Sequence, residues 1–219
     1  MNYKIDKSEV LRYLGIKGGS DPQTDLLIDE CATNLCSVVR PKYIHQSFDL
    51  IHDSDAIYLA CCDMRLSGRT ARDRLSGCHC CYMLAATLGH EADVLIRRAQ
   101  FTDMTRAIIY DACATDLIEK VCDHAESEIS SIAAANSCFA RERFSAGYGD
   151  LPLSLQRDVC RLLGTDRKIG VSLTDKLMLL PTKSVTAFIG ICTEENPDDF
   201  SCKNTCNNCS MRDSCSYRK

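Results

Sequence analysis

Apolar positions recur at helical intervals in three stretches of the chain. Residues 8–14 read as a short helix that the glycines between positions 15 and 19 terminate, with Gly18-Gly19-Ser20-Asp21-Pro22 forming a turn. Residues 25–38 carry Leu26, Leu27, Cys31, Leu35 and Val38 on one side and Glu30 on another, the pattern of an amphipathic helix. The longest signal joins Tyr110, Cys113, Ala114, Leu117, Ile118, Val121, Cys122, Ala125 and Ile129 in an unbroken stripe. At about 100° per residue, Ala112, Glu119, Asp123 and Glu126 fall opposite that stripe. This helix is expected to have one buried and one acidic face.

Elsewhere the period shortens toward two. Residues 42–62 contain short strand-like pieces, Tyr43-Ile44 and Ala56-Ile-Tyr-Leu59, broken by the polar run His52-Asp-Ser-Asp55. Residues 78–87 are apolar enough for a buried strand, and Gly89 separates them from a helical stretch. Residues 141–148 are expected to be extended, and residues 151–163 to form a helix with Pro152 near its start, where a missing N–H costs little. Val171 and Leu173 alternate with polar neighbours, as do Val185, Ala187, Ile189 and Ile191, and Pro181-Thr-Lys183 divides the two runs into an expected antiparallel pair. Helices and strands do not alternate as in a doubly wound sheet. The order predicts an α+β fold, a twisted antiparallel sheet with flanking helices, over residues 1–193. After Cys192 the composition changes: Glu194-Glu-Asn-Pro-Asp-Asp199 is an acidic, turn-prone linker, and residues 194–219 make a separate cysteine-rich tail.

With 219 residues, 45% of them hydrophobic, the chain can bury a substantial core. A net charge of −4 argues against nucleic acid and anionic membrane surfaces, which demand clustered Lys and Arg. No apolar run approaches the ~20 residues of a membrane helix, and the first ten residues lack the apolar core of a signal peptide, so a cytoplasmic protein is expected. In a reducing compartment the 16 cysteines serve as metal ligands, redox groups or small buried hydrophobes. Cys202-x3-Cys206-x2-Cys209-x5-Cys215 lies in a polar tail with few aromatic residues, and four thiolates at that spacing suit either tetrahedral zinc or a [4Fe–4S] cluster. A second group, Cys61-Cys62 with Cys78-His79-Cys80-Cys81, reads as buried small side chains ahead of a metal site, with Cys78 and Cys80 on one face of a strand. His45, His52, His90 and His124 show no ligand or catalytic spacing.

The segment Arg143-Phe-Ser-Ala-Gly147-Tyr148-Gly-Asp-Leu-Pro152 has the form R-x3-G-Y-x3-P. It resembles the signature of the activation, or reactivation, domain of vitamin B12-dependent methionine synthase. The resemblance continues through residues 153–163, Gly170-Val-Ser-Leu-Thr-Asp175 and Pro181-Thr-Lys-Ser-Val185, and residues 87–122 are similar to stand-alone members of that family. It implies S-adenosylmethionine as ligand, held by Arg143, Ala146, Gly147, Tyr148 and Glu119. The chemistry suits those residues. A guanidinium fork matches the ligand carboxylate, a carboxylate matches its ammonium, a glycine lets backbone approach closely, and an aromatic ring can stack on the base or face a cation. Asp116, Asp123 and Glu126 share the helix with Glu119 and are alternatives for the ammonium.

The reaction the resemblance implies is reductive methylation of cob(II)alamin. The cobalamin would sit on a separate methionine synthase or corrinoid methyl-carrier protein, and a flavodoxin or ferredoxin would donate the electron. That electron inclines the four-cysteine tail toward an iron–sulfur cluster, with zinc as the alternative. Family domains commonly follow the motif's Pro with Asp-His, whereas this chain has Leu153-Ser154, so docking on the corrinoid partner is expected to differ. Other readings make the chain a non-catalytic S-adenosylmethionine sensor or scaffold, or an iron–sulfur electron-transfer protein.

Overall fold

The computed structural model describes residues 3–17 and 19–194. The four tail cysteines therefore lie outside the described residues, as does most of the acidic linker.

Two short helices open the chain, α1 (Lys7–Tyr13) and α2 (Pro22–Val38). Each begins on an aspartate whose side chain accepts N–H groups of the first turn, Asp6 from Ser8 and Asp21 from Gln23 and Thr24. Strand β1 (Lys42–His52) follows as one unbroken 11-residue strand, longer than the short apolar piece at Tyr43-Ile44 suggests. Its middle, His45-Gln-Ser47, is polar because only part of each face is covered. Next come β2 (Ala56–Leu59), β3 (Arg65–Ser67), α3 (Arg69–Leu75) and β4 (Cys78–Thr87). The break between β1 and β2 is Asp53-Ser-Asp55, while His52, expected to belong to it, is the last residue of β1 and pairs with Ile57. Helix α4 (His90–Thr102) leads into α5 (Met104–Ala135), a 32-residue helix about 48 Å long.

The remaining elements are β5 (Phe139–Ala140), α6 (Leu155–Leu163), α7 (Thr165–Lys168), β6 (Ser172–Leu173), β7 (Leu179–Leu180) and β8 (Ser184–Cys192). Six strands form one antiparallel sheet in the order β3-β2-β1-β4-β8-β5. The expected pairing of residues 171–173 with β8 does not occur: β6 pairs with β7 in a separate two-stranded ribbon, and β8 lies between β4 and β5.

Alternation along β4 divides the interior. Leu84 and Ala86 face α5 and the N-terminal helices, while Cys81, Met83 and Ala85 face α3 and α6. Strand β8 alternates likewise, with Ala187, Ile189 and Ile191 toward α5 and Phe188 on the other face. Ala112, which helical geometry alone places opposite the α5 stripe, is 4% exposed, because α1 and α4 pack on that side of α5 as a second layer. The acidic face therefore begins only beyond that cover, at Glu119.

Candidate functional site

Residues 141–150 run from the α5 side of the sheet to the α6 side around the edge of β8, and the candidate ligand residues Arg143, Ala146, Gly147 and Tyr148 sit on this crossing, with Glu119 on α5. Arg141 N–H donates to the Gly190 carbonyl at 2.9 Å, and Phe144 and Phe188 exchange backbone hydrogen bonds at 3.0 and 2.7 Å. The segment expected to be extended, residues 141–148, holds only this single bridge at Phe144; the paired residues of β5 precede it, and from Ala146 on the chain turns. Arg141 turns its side chain to the carbonyls of Asp73, Arg74 and Ser76, closing the C-terminal end of α3.

Arg143 turns the opposite way, into the acidic face of α5. Its Nη1 donates to Asp123 at 2.7 Å and to Glu126, and its Nη2 donates to Glu119 at 2.8 Å. Its backbone N–H reaches the second oxygen of Glu126 at 3.1 Å. Positions 119, 123 and 126 stand four and three residues apart, so consecutive turns present their carboxylates on one side of the helix. Burial works against the Arg143 charge, but Glu126, Asp123 and Glu119 outweigh it and hold the guanidinium above its ordinary pKa. Asp116 does not join this group: it is 4% exposed, accepts the Asp6 N–H at 2.8 Å and pairs with Lys120 at 2.7 Å. Tyr13, at the end of α1, is raised in pKa by burial and by the nearby charge of Glu119.

Beyond Phe144 the chain makes a tight turn. Gly147 adopts φ +86° and donates its N–H to Leu151 at 2.9 Å, while Tyr148 N–H donates to Ser145 at 3.1 Å. These amides are occupied within the loop. Ala146 itself is 7% exposed and packs into the core on the α6 side. Tyr148 is half exposed, and the Arg74 guanidinium lies 6.0 Å from its ring centroid. Helix α6 starts at Leu155, not near Pro152, because residues 152–157 first make tight i to i+3 hydrogen bonds that continue the turn.

Two residues outside the motif reading hold this turn. Asp150 accepts the N–H groups of Arg69 and Thr70 at 2.6 and 2.9 Å, capping α3 from a distant part of the chain. Gly149 (φ +59°) lies so close to Thr70 that a Cβ there would collide with its Oγ1. The spacing from Gly68-Arg-Thr70 to Asp150 is some eighty residues, so no local sequence signal connects them.

Among the described cysteines, Cys78 and Cys81 are buried, Cys80 is half-buried and Cys61 is exposed. An irregularity in the β4–β8 register between Cys78 and Cys80 breaks the alternation that would align them. Burial pushes the Cys78 thiol up to about 12, with Arg141 opposing, and raises Cys81 as well. Among the described residues, no three His, Cys, Asp or Glu side chains are grouped to hold a metal ion. No helix among them is long and apolar enough to cross a membrane.

The architecture is that of an α+β domain on an antiparallel sheet. Among solved structures, it is similar to a crystal structure of the MetH reactivation domain bound to AdoHcy, with a TM-score of 0.67 and 16% sequence identity, over 88% of this chain and 75% of that one. At that identity the likeness is one of fold. No family model matches the sequence, and no curated protein matches it.

Proposed function

We propose that the chain binds S-adenosylmethionine at the Arg143 cluster and supports reductive methylation of cob(II)alamin carried by a separate corrinoid protein. The observation that carries this reading is the cluster itself: one guanidinium faces three carboxylates, Glu119, Asp123 and Glu126, for a nominal charge of −2. Such a site favours a ligand that brings positive charge together with one carboxylate. S-adenosylmethionine fits, its ammonium and sulfonium outnumbering its carboxylate by one. On binding, the ligand carboxylate takes a place on the Arg143 fork and the ammonium takes a carboxylate released from it, with Glu119 or Asp123, the two more exposed members, the natural partners. The likeness to a reactivation domain bound to AdoHcy supports the ligand class.

In the proposed reaction one electron from a flavodoxin- or ferredoxin-class donor reduces cob(II)alamin to cob(I)alamin. The cobalt then attacks the ligand methyl carbon, and the S–CH₃ bond breaks with its electron pair remaining on sulfur. Methylcobalamin and S-adenosylhomocysteine result. The sulfonium is already an activated donor, so the chain contributes position and electrostatics without a general acid or base. The four tail cysteines, Cys202, Cys206, Cys209 and Cys215, are proposed as the point where the electron enters if they hold an iron–sulfur cluster; zinc there has no redox chemistry and would be structural.

Calorimetry with S-adenosylmethionine on the native protein and on Arg143→Ala tests the reading, with loss of measurable heat expected for the variant. Equal binding by both proteins would sink it. Binding without methylcobalamin formation, when the protein is mixed with a cob(II)alamin carrier and a reductant, would reduce the role to that of a scaffold.

A further inference from the structure

The sheet has two edges, and they are treated differently. The β8 edge is closed by β5 and the Phe144 bridge, whereas β2 covers only one end of β1, pairing with Leu50, Ile51 and His52. The Asp49 carbonyl accepts the Ala60 N–H at 2.9 Å and Asp53 N–H reaches Ala56 at 3.0 Å, so the odd-numbered residues turn their backbone groups toward β2. Backbone groups alternate along a strand. Tyr43, His45 and Ser47 therefore direct their N–H and C=O groups to the same side, where no strand among the described residues lies.

At the start of this open stretch is a cavity of about 650 Å³. Its apolar wall includes Val39, Pro41, Leu117 and Ile169, its cations are Arg40, Lys42 and Lys168, and no Asp or Glu lines it. Lys168 also borders a neighbouring concavity with Arg157, Arg161 and Arg167, where Asp166 is the sole carboxylate. In a chain of net charge −4, this is a local concentration of positive charge running away from one end of an unpaired strand edge.

We propose that the β1 edge from Tyr43 to Ser47 is a docking site for an extended acidic segment of a partner protein, added antiparallel or parallel as a seventh strand. Main-chain hydrogen bonds to Tyr43, His45 and Ser47 give the segment its hold, and its carboxylates lie against Arg40, Lys42 and Lys168. In the sheet order β1 is separated from β5 by β4 and β8, about 14 Å at ordinary strand spacing. A segment docked there leaves the Arg143 site uncovered, so the two can be occupied together and tested separately.

The test uses the full chain and a synthetic twelve-residue peptide alternating Glu and Val, with a Lys-Val peptide of the same length as control. Amide hydrogen exchange followed by NMR should slow at Tyr43, His45 and Ser47 with the acidic peptide and not with the basic one. Ser47→Pro removes an outward N–H that the sheet does not use, and should weaken peptide binding about tenfold. A peptide N-methylated at alternate residues should bind the native protein about tenfold more weakly, which tests backbone pairing without any change to the protein. Lys42→Glu with Lys168→Glu should cost a similar factor. No binding of the acidic peptide, equal binding of the basic one, or undiminished binding of the N-methylated peptide would overturn the proposal. S-adenosylmethionine affinity, measured in parallel on Lys42→Glu with Lys168→Glu, should be unchanged.

Discussion

Asp150 and Thr70 hold each other across the fold: the Asp150 carboxylate accepts the Thr70 N–H at 2.9 Å, and the Thr70 hydroxyl accepts the Asp150 N–H at 3.4 Å. The pair fixes the turn bearing Gly147 and Tyr148 to the start of α3. Its hydrogen bonds, led by those from Thr70 and Arg69, hold the Asp150 carboxyl down at about 2, below the ordinary aspartate range. A depressed folded-state pKa contributes stability above the unfolded pKa and loses it as pH falls through the folded one. The native protein should therefore melt higher than Asp150→Asn at neutral pH, with the difference closing between about pH 4 and pH 2. Thermal melts across that range check it, and a constant difference would refute it.

Arg143 is expected to matter to stability as well as to ligand. Removing it leaves Glu119, Asp123 and Glu126 facing one another on a single helix face. Because Glu119 and Asp123 are partly exposed, the cost is below that of a buried ion pair, about 1–3 kcal/mol for Arg143→Ala in a denaturant titration. Arg143→Lys should recover most of this while remaining at least about tenfold weaker for S-adenosylmethionine, since an ammonium cannot replace the fork.

Gly147→Ala tests the turn from inside. Its φ of +86° is strained for any side chain, and the new Cβ would come 3.1 Å from Leu153 Cδ1. A loss of about 1–3 kcal/mol is expected, together with weaker S-adenosylmethionine binding. A variant with native stability and affinity would show that the turn tolerates a side chain and is not held as described.

The Tyr43 hydroxyl donates to Glu128 at 2.7 Å, and burial followed by this hydrogen bond pushes its pKa up to about 12 from 10.0. A raised folded-state pKa gives stability that is complete below the unfolded value and lost as pH rises through the folded one. Tyr43→Phe should consequently flatten the alkaline loss of stability between about pH 10 and pH 12, read by ultraviolet absorbance and melting.

Ile129 is fully buried between α5 and the sheet. Ile129→Ala should cost about 2–5 kcal/mol, and its effect on S-adenosylmethionine binding should be far smaller than that of Arg143→Ala, because α5 keeps its acidic face.

How much of this was legible in the sequence depended on how local the cause was. Strand β4 was readable from Cys78 to Thr87 because a continuous apolar run lies between two glycines, and α5 because nine apolar residues keep one helical face. The cover of α1 and α4 over Ala112 was not readable, since the helix carries no sign of which other element will lie on it. The length of β1 was hidden by polar residues at its half-covered centre, and the β6–β7 ribbon by the shortness of both strands. At the candidate site, the family resemblance points to Arg143 and Glu119, and they meet at 2.8 Å. Sequence leaves Asp116, Asp123 and Glu126 as alternatives for a single role, whereas Asp123 and Glu126 join Glu119 on the same guanidinium and Asp116 does not. Thr70 and Asp150 left no trace, because their contact depends on the tertiary fold alone.

The crossing of residues 141–150 around β8 has a consequence for solubility. An open strand edge is a template for another chain, and here Ala140, Arg141 and Phe144 occupy the β8 edge. If that segment lifted, Gly190 and Phe188 would present unpaired backbone in a largely apolar strand. Anything that fastens Arg143 to α5 on one side and Asp150 to α3 on the other also keeps that edge shut. A small molecule seated there would guard the protein against self-association, and its removal should register first as aggregation before any loss of helix.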